Sequence, residues 1–135
     1  MIFKKIFIIM FIICLPSFSL AQEISPVSVI EMAFCKTIKG RNPISIDSIF
    51  SDSVERVFCY TKLSSTEDYT SISHVWYYND TQMAIVDLPV NAKTWRTWSS
   101  KRIVKDWAGV WRVDVISSTG NIICSDEFVI SSNAE

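Results

Sequence analysis

From Val27 onward, apolar and polar residues alternate in short runs with a period near two, and turn-forming clusters interrupt the runs regularly. The first run, Val27 to Ile38, puts Ile30, Met32, Phe34 and Ile38 on one face and stops at Gly40 to Pro43. Arg56 to Leu63, Ile72 to Tyr78 and Met83 to Val90 follow, all rich in β-branched and aromatic types, the last two joined through Asn79-Asp80. Trp95 to Ile103 makes the next run. The final pair, GVWRVDVIS and NIICSDEFVI, flanks Ser118-Thr119-Gly120-Asn121, where Gly120 can supply the positive φ of a tight hairpin. Only Ile46 to Val57 shows apolar 3,4 spacing, through Ile46, Ile49, Phe50 and Val54, and either a short helix or an extended edge segment fits it.

About seven strands and no helices to cover a sheet predict an all-β fold: an immunoglobulin-like two-sheet antiparallel β-sandwich, with a closed barrel as the smaller alternative. In the last pair Trp111, Val113 and Val115 face one way and Val110, Arg112 and Asp114 the other, so Trp111 belongs to the core. Trp95, Thr97, Ser99, Lys101 and Ile103 share an inward face, while Thr94, Arg96, Trp98, Ser100 and Arg102 share an outward one, on which Arg96 can stack over Trp98. Ile72, His74, Trp76 and Tyr78 share a side of their strand. Trp76 is expected at the sandwich centre, with His74 bonded at its rim to a backbone carbonyl or to a hydroxyl such as Thr97 or Ser99.

The N-terminus departs from this pattern. MIFKKIFIIMFIICLPSFSLAQ has a charged head at Lys4 and Lys5, an apolar run from Ile6 to Leu15, then Pro16 and a small-residue tail, the order of a secretory signal peptide helix cleaved after Ala21. The run is too short for a membrane span of about 20 residues, and Ile13 before Cys14 does not suit lipoprotein processing. The expected organisation is therefore signal peptide 1–21 and one domain, 22–135, exported to the periplasm or secreted, with no stable membrane insertion after cleavage. Lys4 and Lys5 leave with the leader, so 13 cations become 11 against 14 acidic residues and the net charge moves from −1 to −3. That balance gives no footprint of a nucleic-acid binder.

Three cysteines remain, Cys35, Cys59 and Cys124, which permit at most one internal bridge. No two have the close spacing of a zinc pair, and no Gly-rich phosphate loop, calcium loop or nucleophile elbow occurs, so neither metal nor cofactor is expected. The sequence names no substrate or reaction. Its most concrete candidates for contact with a ligand are His74, Trp76, Tyr78, Arg96, Trp98, Ser99 and Trp107, whose rings offer flat apolar area and whose Arg and hydroxyl groups offer directional bonds. The expected role is a non-catalytic binding or structural module for a protein partner. The alternatives are a carbohydrate or cell-wall module using exposed Trp, Tyr and Arg, and a hydrolase built on His74 or paired carboxylates.

The spaced series AFCKTIKGRNP, VFCYTKL, ISHVWYYND, WRTWSSKRI, GVWRVDV, a turn glycine and a terminal EFVI resembles the bacterial domain-of-unknown-function family 2914 (DUF 2914) from about Ala33 to Ile130. Its most telling pieces are His74-Val75-Trp76 and Trp95 to Ser99. The resemblance implies an extracytoplasmic β domain without assigned activity. It also implies a Cys35–Cys59 bridge, which leaves Cys124 as a small buried hydrophobe.

Overall fold

The computed structural model describes residues 25–132; the expected signal peptide and its cleavage point lie outside the described residues. Nine strands follow one another: β1 (Val27–Lys39), β2 (Asn42–Ile46), β3 (Ile49–Ser51), β4 (Arg56–Ser65), β5 (Thr70–Tyr78), β6 (Thr81–Val90), β7 (Thr94–Arg102), β8 (Gly109–Ser117) and β9 (Ile122–Ser131). They form a four-stranded sheet in the order β2-β1-β4-β7 and a five-stranded sheet in the order β3-β9-β8-β5-β6. The architecture is all-β and sandwich-like, and among the described residues there is no helix.

Three expectations are corrected. There are nine strands rather than about seven, because the Gly40-Arg41 turn splits off β2 and the ambiguous Ile46 to Val57 segment contributes β3. That segment is not helical: β3 lies parallel to β9, with Ile49, Phe50 and Ser51 opposite Val129, Ile130 and Ser131, so the sandwich is not wholly antiparallel. Ile30 does not share a face with Met32 and Phe34. A bulge between Val29 and Glu31 inserts one residue and reverses the alternation, leaving Ile30 56% exposed while Val27 and Phe34 are buried.

Turn chemistry explains the hairpins. Gly40-Arg41 (φ 56° and 61°) and Asn79-Asp80 (φ 46° and 64°) are two-residue loops with both residues left-handed, matching the twist of the strands they join. At the start of β8, Gly109 (φ 136°) lies against Tyr78 and Asn79, where an added Cβ would sit 3.3 and 3.2 Å from their side chains.

The core forms where the inner faces meet. Phe34, Val57 and Cys59 from the four-stranded sheet pack against Trp76, Trp111, Val113, Phe128 and Ile130 from the other. Phe128 is the hub: its ring centroid lies 4.6 Å from Phe34, 6.1 Å from Trp76 and 6.0 Å from Trp111, on which it stacks. A second cluster, including Val27, Leu63, Ile72, Val90 and Val115, closes the other end.

Candidate functional site

The structure distributes the seven candidate residues over three places. His74, Trp76 and Ser99 meet between the sheets, Tyr78 and Trp107 close one end of the sandwich, and Arg96 and Trp98 lie on the outer face of the four-stranded sheet.

The inter-sheet group is a directed chain of hydrogen bonds. Thr61 Oγ1 donates its single proton to the Thr97 carbonyl at 3.0 Å, so toward His74 Nε2, 3.2 Å away, it accepts. Nε2 therefore carries the ring proton, and Nδ1 accepts from Ser99 Oγ at 2.6 Å. Ser99 Oγ in turn accepts from Trp76 Nε1 at 3.0 Å. The proton order Trp76 to Ser99 to His74 to Thr61 to Thr97 satisfies every bond with a neutral imidazole. Thr61 and Ser99 come from β4 and β7, His74 and Trp76 from β5, so the chain ties one sheet to the other. Burial lowers the His74 pKa from 6.5 to about 4, as expected where the charged form loses its water. Thr61 could have been singled out only by knowing that β4 lies opposite β5; its type and spacing alone carry no such signal.

At the end of the sandwich Tyr78, Trp107 and Trp111 pack in series. Tyr78 and Trp107 are tilted 40°, Trp107 and Trp111 60°. Lys101 Nζ lies 4.8 Å from the Trp107 ring centroid. Tyr78 Oη donates to the Ala108 carbonyl at 2.7 Å and Trp111 Nε1 to the Trp107 carbonyl at 3.0 Å, which fixes the loop between β7 and β8.

On the outer face, Ala33, Tyr60 and Trp98 form one row across β1, β4 and β7, with Glu31, Lys62 and Arg96 in the next. Arg96 gives Nη1 to Asn42 Oδ1 at 3.0 Å; the expected stack on Trp98 is not among the cation–π contacts of the described residues, which are Lys101 over Trp107 and Arg112 over Tyr77. Asn42 belongs to β2, three strands from β7. In a flat sheet that separation alone would be roughly 14 Å, beyond the reach of one side chain. The β1–β2 arm must therefore curl back over this face.

The Cys35–Cys59 bridge is not formed: Cys35, Cys59 and Cys124 are all free. The register gives the reason. Cys59 stands opposite Phe34 and Cys35 opposite Phe58, and directly opposed residues share a face, so the two thiols project to opposite sides of the sheet. Burial pushes both thiol pKa values up, that of Cys59 well above the ordinary range, so neither is an activated nucleophile.

Sequence reasoning missed a polar cluster on the outer face of the five-stranded sheet. Arg112 bridges Asp80 and Asp114, lies 4.3 Å over the Tyr77 ring, and Ser125 Oγ donates to Asp114 Oδ1 at 2.7 Å. This cluster buries the Asp114 carboxylate on an outward face. The i, i+2 spacing of Arg112 and Asp114 was visible, but the turn that brings up Asp80 was not readable as a partner. Among the described residues, a hollow of ≈ 810 Å³ opens beside Arg56 and Arg102 and another of ≈ 330 Å³ beside Arg112 and Glu127. Among the described residues no three of His, Cys, Asp and Glu form a metal-ligand set, and no helix is long and apolar enough to cross a membrane.

The four outer strands of the two sheets differ in kind. β3 has three residues, β2 has five and contains Pro43, and β7 carries Arg96, Lys101 and Arg102. Short length, proline and cations are the ordinary protections of a sheet edge. β6 has ten residues, TQMAIVDLPV, without Lys or Arg; a bulge falls at Met83, and Asp87 and Pro89 come only toward its end, so its apolar middle is Ala84 to Val86. Ile85 on this strand is 57% exposed.

No curated protein matches the chain. Residues 69–130, which span β5 to β9 and so hold His74, Trp76, Arg96, Trp98 and Trp107, match the family described as "Protein of unknown function (DUF2914)"; the resemblance to DUF2914 is shown over that stretch, while β1 to β4 lie outside the match.

Proposed function

We propose that the chain is an exported, non-catalytic, immunoglobulin-like binding or structural module whose partner is a protein that presents an extended segment to β6. The finer fold assignment is supported by the strand order and by five connections, β2 to β3, β3 to β4, β4 to β5, β6 to β7 and β7 to β8, that cross from one sheet to the other. It is also supported by Trp76, wholly buried and edge-on to Phe128 at the centre of the sandwich. Export rests on the leader sequence MIFKKIFIIMFIICLPSFSLAQ.

The observation that carries the partner assignment is the contrast among the four edges. β6 is the longest of the four and offers backbone N–H and C=O groups with apolar neighbours and no charge barrier along Ala84 to Val86, between the bulge at Met83 and Asp87. An added strand satisfies those groups and buries alternate side chains, the general mode of strand addition. The non-catalytic reading is supported by the place of the Ser99–His74 pair. His74 is wholly buried and Ser99 only 6% exposed, so an acyl substrate could reach Oγ only by parting the sheets. A carbohydrate platform would want exposed coplanar rings, whereas Tyr78 and Trp107 are tilted against each other and both carry packing duties.

A photo-crosslinking residue at Gln82 tests the reading in cells that make the protein. The expected result is one discrete protein adduct that disappears in the Ile85→Lys variant. No adduct, or one that forms only from a crosslinker at position 98, rejects the β6 assignment.

A further inference from the structure

Arg56 opens β4 and Arg102 ends β7, and the two are direct cross-strand partners. That register sets their Cβ atoms about 5 Å apart on one face, where like charges repel. Lys105 lines the same ≈ 810 Å³ groove. Among the described residues the only ion pairs are those of Arg112, so none of these three cations has a carboxylate partner. Arg56 bonds a hydroxyl instead, Ser100 Oγ at 2.7 Å. The two guanidinium forks therefore keep most of their donors free.

The groove is preformed. Ile103 N–H donates to the Glu55 carbonyl at 2.8 Å, Asp52 N–H to the Ser131 carbonyl at 3.0 Å and Val54 N–H to the Ser51 carbonyl at 3.0 Å, which anchors the β3–β4 turn to the ends of β7 and β9. Glu55 holds φ at 64° outside any two-residue hairpin, a conformation that costs a residue with a side chain. Like-charge repulsion and backbone strain thus coincide at one place.

We propose that Arg56 and Arg102 together bind the carboxylate group of a small ligand, with Lys105 adding to the local positive charge. Paired forks match the planar geometry of a carboxylate. Asp52 and Glu55 line the same groove, so its three cations and two anions leave a single net positive charge. That balance favours a monoanion over a phosphate dianion. The two acidic side chains supply acceptors for hydroxyl or amide groups beside the ligand's carboxylate.

The test is an NMR titration of the mature protein with lactate and with inorganic phosphate at constant ionic strength, following the arginine Nε–H signals. Lactate should give saturable shifts at Arg56 and Arg102, phosphate weaker ones, and Arg102→Gln should abolish both. Absence of saturation with lactate, a stronger response to phosphate, or shifts that survive Arg102→Gln overturns the proposal. A second readout needs no ligand. Arg102→Glu exchanges repulsion for attraction, so the unliganded variant should melt about 2–4 °C higher; an equal or lower melting temperature removes the unmet-charge premise and overturns it equally.

Discussion

His74 is the residue on which the two sheets meet. With its pKa at about 4 in the fold against 6.5 as the ordinary value, the unfolded chain takes up a proton between those limits and the native state does not. Stability is therefore fully present above about pH 6.5 and is lost as the pH falls toward 4. A shift of this size corresponds to roughly 3 kcal/mol in all, and to about 2 kcal/mol between pH 7 and 5, measurable as a lower urea midpoint. Ser99→Ala should cost about 2–4 kcal/mol, because it strands both Trp76 Nε1–H and His74 Nδ1 in the core. Trp111→Ala should cost about 3–5 kcal/mol by emptying the space beside Phe128 and Tyr78. Alternation already placed Trp111 inward, and it put Ser99 and His74 on the inner faces of their strands. The direction of the proton chain was unreadable, because it depends on Thr61, from a strand whose position opposite β5 only the fold defines.

At the scale of elements, strands were legible wherever the period of two ran unbroken, as in β5, β7 and β8. It failed where one residue slipped: the bulge after Val29 reversed Ile30, and the same one-residue logic defeats the cysteine pairing. Similar spacing to a family pattern cannot reveal that Cys35 and Cys59 face opposite ways; a register can. Peptide mapping of unreduced protein should accordingly find no Cys35–Cys59 linked fragment, and finding one would mean that β1 and β4 pair one residue out of step. β6 calls for a different prediction. Ile85 points outward from its strand and is largely exposed, so Ile85→Lys should change stability by no more than about 0.5 kcal/mol while removing the crosslinked adduct. A large loss of stability in denaturant titration would place Ile85 under packing contacts and discount it as a contact residue.

For the molecule as a whole, two layers were foreseeable from the absence of helical periodicity and the regular turns, but the sorting of strands between them was not. The parallel β3–β9 contact joins residues eighty positions apart, and the arm from β1 to β2 curls over a face that alternation alone marks as open. The assembled sandwich seals its single Ser–His pair inside and leaves β6 the longest edge and the one without Lys or Arg along its apolar middle, which is why binding rather than catalysis is proposed. The chain contains one histidine, so its ring signals are unambiguous. A long-range proton–nitrogen NMR spectrum of the imidazole, followed from pH 7 to 5, tests this account most directly: the prediction is a neutral ring protonated at Nε2 throughout. A ring that titrates near 6.5, or that carries its proton on Nδ1, would show a solvent-reached or differently bonded histidine and contradict the closed inter-sheet clasp.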